Sequence, residues 1–141
     1  MIRIAIADDH PVFRAGVRQI LADEPSITIA GEAGSGTELL ALVEQLEIDV
    51  VLLDITMPGT PFPGILNELH AKRPALRVLI LSMHSEEEFA IRALRAGAAG
   101  YLAKDRSPEE LVVAINPHWE LETLLIDAAE LLERYGYPRP E

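Results

Sequence analysis

Short apolar runs, four of the five closing on a polar or charged residue, alternate with amphipathic stretches along most of this chain. The runs are Ile2–Ala7, Ile27–Ala30, Asp49–Leu53, Arg77–Leu81 and Ala99–Ala103. That alternation predicts an α/β fold with a parallel sheet, because parallel neighbours need a crossover of a dozen or more residues and a helix supplies it. The run before Asp54 is apolar at successive positions, as suits a central strand covered on both faces. Pro11 opens a helix to about Asp23, with Phe13, Val17, Ile20 and Leu21 along one face, and Pro25 stops it. Thr37 is the expected cap of a helix reaching Leu46. A third helix is predicted over Gly64–Arg73. A fourth starts at Ser85 with Glu86, Glu87 and Glu88 in its first turn and ends at Gly97. A fifth begins at Ser107-Pro108.

Five βα units account for residues 1–115 as one domain and leave 116–141 as a separate segment. Asn116-Pro117 interrupts the fifth helix after about two turns. From Trp119 to Tyr135 a new amphipathic helix is expected, with Leu121, Leu124, Leu125, Leu131 and Leu132 on one face. That stripe has to be covered, either by the first domain or by a second copy in a homodimer.

Aromatics are only 5 % of the residues, so the core must come from Leu, Ile, Val and Ala. There is no cysteine, hence no disulfide or thiolate metal site. No run approaches the ~18 apolar residues of a membrane span, and the first residues lack the pattern of a signal peptide. A cytoplasmic protein without membrane contact is expected. A net charge of −11 argues against direct binding of nucleic acid, which depends on Lys and Arg to neutralise phosphates.

The chemistry lies where the strands stop. The first run ends in Asp8-Asp9, the third in Asp54, the fourth in Ser82 and the fifth in Lys104. In open doubly wound sheets, ligands bind at the carboxyl ends of the strands. Carboxylates gathered there stay ionised together only with a cation among them, and hard oxygen donors favour Mg²⁺. An ammonium and a hydroxyl beside such a site suit a transferring phosphoryl group. His10 and His84 carry no expected metal role, since acids dominate the set.

Four stretches carry a resemblance to a known family: Ile-Ala-Asp-Asp-His-Pro at 6–11, Asp-Val-Val-Leu-Leu-Asp-Ile-Thr-Met-Pro-Gly at 49–59, Val-Leu-Ile-Leu-Ser-Met-His at 78–84, and Ala-Leu-Arg-Ala-Gly-Ala-Ala-Gly-Tyr-Leu-Ala-Lys-Asp at 93–105. Their order and spacing resemble the receiver domain of two-component response regulators, of the type usually joined to a LuxR-type helix-turn-helix. The resemblance implies a flavodoxin-like (CheY-like) three-layer sandwich with sheet order 2-1-3-4-5. It implies that Asp54 is a phosphoacceptor, served by a sensor histidine kinase or a small phosphodonor, and that the domain is regulatory rather than an enzyme. Asp8, Asp9, Asp54 and the backbone carbonyl of Thr56 would hold Mg²⁺. Lys104 and Ser82 would bind phosphoryl oxygens, and Ser82 with Tyr101 would form the switch.

Two segments depart from the family pattern. Thr60-Pro61-Phe62-Pro63-Gly64 replaces the usual lead into the third helix, and the chain diverges again after Ile115. These departures leave a second expectation open: an engineered or divergent module on the same fold that binds or oligomerises through the last helix. A phosphohydrolase fits poorly, because Thr56 stands where such enzymes place a second acid.

Overall fold

The computed structural model describes residues 2–55, 57, 64–82 and 87–103, of which 82, 87–90, 102 and 103 as backbone only. Five strands and four helices alternate in it: β1 (Ile2–Ala7), α1 (Pro11–Leu21), β2 (Ile27–Ala33), α2 (Gly36–Gln45), β3 (Val50–Asp54), α3 (Gly64–Lys72), β4 (Arg77–Ser82), α4 (Glu87–Arg95) and β5 (Gly100–Ala103). The strands form one parallel sheet in the order β2-β1-β3-β4-β5. The predicted helices beyond residue 107, the 119–135 helix and the Pro61–Pro63 loop lie outside the described residues.

Alternate residues of the inner strands face opposite layers. Ile4, Ile6, Val50, Leu52, Leu79 and Leu81 pack with Val17 and Leu21 of α1, and Phe13 and Ile20 flank them as the helical spacing predicted. Ala5, Ala7, Val51, Leu53, Val78 and Ile80 pack on the other face with Leu39 and Val43 of α2, Ile65, Leu66 and Leu69 of α3, and Ala93 of α4. All five residues of β3 are buried. Each aliphatic side chain buried this way contributes roughly 1.5–3 kcal/mol. Because β3 is apolar toward both layers, burial alone would tolerate a slip of one residue. Asp54 prevents it, since a slip inward would carry a carboxylate into the sheet's interior.

Two boundaries differ from the sequence reading in ways that matter at the carboxyl edge. β2 runs three residues past Ala30, through Gly31-Glu32-Ala33, because β1 is long enough to keep pairing with it. The register shifts between Ile4 and Ala5, and Ala33 comes level with Ala7. Glu32 then meets α1, accepting from Arg18 Nη1, with Arg14 Nε 3.9 Å away. The cap of α2 is Ser35 rather than Thr37: its hydroxyl accepts from the Glu38 amide at 3.2 Å, and Glu38 Oε2 accepts from the Gly34 amide at 2.9 Å. This is a capping box displaced by one residue. Gly97 is the one described residue with φ in the left-handed region, at 107°, and it ends α4 as a glycine C-cap does.

Candidate metal centre at the carboxyl edge of the sheet

The strand registers bring the polar strand ends level. Ala7 pairs with Leu53, so the following residues, Asp8 and Asp54, lie side by side. Asp8 continues the alternation of Ile4 and Ile6, and Asp54 that of Val50 and Leu52, which places both on the α1 side of the sheet. Asp54 pairs in turn with Leu81 of β4. The Asp8 amide donates to Ala33 O at 3.0 Å, tying the end of β1 to the end of β2. Beyond β3 the chain turns, with the Met57 amide donating to Asp54 O at 3.4 Å. Met57 is itself buried and anchors the turn in the core.

The loop from β1 to α1 is only three residues long, and Pro11 confines the residue before it to extended backbone. His10 is there, at φ −98° and ψ 103°, as the N-cap residue of α1. It makes no side-chain capping bond. Instead its amide donates to Asp8 Oδ1 at 2.7 Å, and the tight turn folds the imidazole back over the acids. Nδ1 lies 2.9 Å from Asp8 Oδ1, 3.3 Å from Asp9 Oδ1 and 3.5 Å from Asp54 Oδ2. Asp8 and Asp54 are fully buried, whereas the Asp9 side chain is 33 % and that of His10 51 % exposed. One donor atom from each of the four residues lies within 4.8 Å of every other.

At such separations two ionised carboxylates oppose each other by roughly 4 kcal/mol in a medium of effective dielectric constant about 20. Burial adds to that cost for Asp8 and Asp54. A divalent cation among them reverses the balance, and a donor set dominated by carboxylate oxygens suits a hard ion. The residues present therefore fit a divalent metal.

Of the residues singled out in the sequence, Asp8, Asp9 and Asp54 are brought together. The Ser82 backbone is one step past Leu81, the partner of Asp54, and pairs with Ala103. Tyr101 pairs with Ile80 and packs, partly buried, against the core on the side of α2 and α3, across the sheet from Asp54. Thr56 and Lys104 lie outside the described residues. His10, to which the sequence assigned no metal role, stands beside these acids, its Nδ1 in a hydrogen bond with Asp8 Oδ1 at 2.9 Å.

The pattern for the response regulator receiver domain matches residues 4–116. A nitrate/nitrite response regulator, NarL of Escherichia coli strain K12, is 39 % identical over 125 residues, covering 89 % of this chain and 58 % of its own length. The uncharacterized transcriptional regulatory protein YxjL of Bacillus subtilis strain 168 is 40 % identical over 114 residues, covering 81 % of this chain and 52 % of its own length. The crystal structure of a LuxR-family two-component response regulator from Aurantimonas sp. SI85-9A1 superposes with a TM-score of 0.78 at 32 % identity, over 94 % of this chain and 96 % of that one. This chain thus spans little more than half the length of the curated relatives it matches. Among the described residues no helix is long and apolar enough to cross a membrane.

These relatives correct one expectation. Acidity argued against direct nucleic-acid binding, yet one relative is named as a transcriptional regulatory protein and another belongs to the LuxR family. Acidity misleads here because a charge summed over a receiver-sized segment describes that segment's surface. It does not speak for a nucleic-acid-binding surface elsewhere in proteins built on the segment. The match also runs through residues 60–64, so that departure does not take the chain outside the pattern, and the engineered-module alternative is not favoured. With the sheet order, the acids at its carboxyl edge and the continuous match in agreement, the chain belongs to the response regulator receiver domains.

Proposed function

We propose that this chain is the phosphoacceptor of a two-component signalling system, taking a phosphoryl group on Asp54 with the help of Mg²⁺. The observation that carries the reading is the Asp54 carboxylate, fully buried at the end of β3 and facing Asp8, Asp9 and His10. Asp8, Asp9 and Asp54, with the Thr56 carbonyl, would hold the ion. When bound, Mg²⁺ supplies positive charge to the oxygens of the transferring group. A carboxylate oxygen of Asp54 attacks phosphorus. The bond from phosphorus to the donor breaks, and its electron pair leaves with the donor's imidazole or acetate. The donor is a phosphohistidine of a sensor kinase or a small molecule such as acetyl phosphate.

The product carries roughly two negative charges and three strong acceptor oxygens where a carboxylate stood. Lys104 and Ser82 are the residues we assign to those oxygens, as ammonium and hydroxyl. Tyr101, across the sheet and next to β4, is assigned the second half of the switch, repacking when Ser82 moves. Such a domain is regulatory, with the cytoplasm as its compartment. Its phosphoryl state would bear on transcription, as the names of its relatives suggest.

Incubation with acetyl phosphate and Mg²⁺, followed by intact mass measurement, tests the reading. One added phosphoryl group is expected, and it should be absent without Mg²⁺ and absent in Asp54→Ala. An unchanged mass in the parent protein sinks the phosphoacceptor claim while leaving the fold untouched.

A further inference from the structure

The turn that follows Asp54 is held unevenly. Its two backbone bonds are long: the Ile55 amide donates to Leu81 O and the Met57 amide to Asp54 O, each at 3.4 Å. Amide bonds of that length lie beyond the ordinary range and hold a backbone only weakly. The side chains hold it more firmly. Leu53, Ile55 and Met57 all pack on the α2 and α3 side of the sheet, in the cluster that includes Ile65, Leu66 and Leu69. Asp54, set between them, continues the alternation of Val50 and Leu52 on the α1 side. Ile55 is only partly buried, whereas Met57 is 3 % exposed. Burial of a side chain of that size outweighs two stretched hydrogen bonds, and its unbranched shape adapts to irregular space in the core.

Thr56 is the one residue between Ile55 and Met57, and its carbonyl is the ligand that the proposed function assigns to Mg²⁺. Mg²⁺ demands near-octahedral donors at about 2.0–2.1 Å and tolerates little displacement of any of them. We propose that Met57 is a positioning residue for that ion. By filling the core on the α3 side it fixes the turn that carries the carbonyl, and so sets the affinity for Mg²⁺ from the opposite face of the sheet. The proposal rests on reading the carboxyl edge as a Mg²⁺ site. It goes beyond that reading by placing part of the affinity in an apolar side chain that is not among the ligands. A site made of carboxylates alone would be indifferent to Met57.

Calorimetric titration with Mg²⁺ tests this. Met57→Ala should weaken binding at least about fivefold, as loss of a supporting residue around a metal site does. Met57→Leu nearly conserves the volume and should stay within about twofold of the parent. Leu69→Ala opens a cavity in the same core farther along α3, so it should lose stability yet keep Mg²⁺ affinity within about twofold. Phosphorylation by acetyl phosphate gives a second readout. In Met57→Ala the Mg²⁺ concentration for half-maximal rate should rise by about the same factor as the binding constant, while the rate at saturating Mg²⁺ stays within about threefold. A merely structural role would lower the folded fraction, and with it the rate at saturation, and leave that concentration where it was. Circular dichroism checks that each variant folds, and Met57→Val is read in place of Met57→Ala if the latter does not. Unchanged Mg²⁺ affinity in Met57→Ala, an equal fall in Leu69→Ala or in Met57→Leu, or a loss confined to the rate at saturation each overturns the inference and leaves the Mg²⁺ site standing. Failure of the parent to bind Mg²⁺ overturns the reading of the site and the inference with it.

Discussion

The two ends of the same strands handle charge in opposite ways. At the amino edge, Asp49 is exposed and Oδ2 accepts from the Arg3 amide at 2.8 Å, while Arg3 Nε donates to Glu47 O at 2.8 Å. Arg77 lies next to it in the ladder, its amide donating to Asp49 O at 3.2 Å. Burial pushes the Arg77 guanidinium below its ordinary value, and the Asp49 charge draws it back up. An acid there accepts from a backbone amide and lies close to one arginine and to water. At the carboxyl edge, Asp8 and Asp54 are fully buried and meet a third carboxylate. The amino edge balances its charges within the described chain. The carboxyl edge gathers like charges that a stability-only sequence would separate, and such an arrangement marks a functional site.

That contrast breaks first under added metal. If the carboxyl edge holds like charges in need of a cation, Mg²⁺ at a hundredfold excess over its dissociation constant should stabilise the fold by about 2.7 kcal/mol. Chemical denaturation with and without Mg²⁺ reads the difference. The increment should vanish in Asp9→Asn and persist in Asp49→Asn. Equal loss in both variants would mean that the ion acts on overall charge rather than on one edge.

Next in size is the response to losing one buried charge. Without metal, Asp54→Asn removes repulsion from Asp8 and Asp9 while keeping the shape of the side chain. It should stabilise the fold by about 1–2 kcal/mol in metal-free buffer. A loss of stability there would mean that hydrogen bonds to the carboxylate outweigh the crowding of charge. It would also weaken the case that the edge is strained for function.

Much of this was legible in the chain. The runs that became β1, β3 and β4 could be read because burial on both faces demands continuous Ile, Val and Leu, and the acids stood out as the points where those runs stop. The tail of β2 was not legible, because Gly31 and Glu32 carry no strand signal and extend the strand only through the length of β1. The α2 cap was misplaced by two residues, since Ser35 and Thr37 are equally good caps on paper and only the reach of Glu38 back to Gly34 decides between them. The hydrogen bond from the His10 ring to Asp8 was not legible either, because it depends on how the turn before Pro11 folds the ring back. Composition misled on nucleic acid for a different reason: charge adds up over whatever length of chain is read.

The smallest effect belongs to the amino edge and has the opposite sign. Asp49→Asn is the same chemical change as Asp54→Asn, but here the carboxylate is exposed, accepts from the Arg3 amide and lies close to Arg77. Neutralising it weakens a charge-assisted hydrogen bond without relieving any repulsion. A destabilisation of about 0.5–1 kcal/mol is expected, shrinking in high salt because water and ions already screen the pair. Denaturation of the two variants side by side, in metal-free buffer at low and high salt, gives the sign directly. If both substitutions stabilised, the chain's overall negative charge would govern both edges, and the distinction between them would fall. Opposite signs would locate the unfavourable charge at the carboxyl edge, where a cation and then a phosphoryl group are proposed to enter.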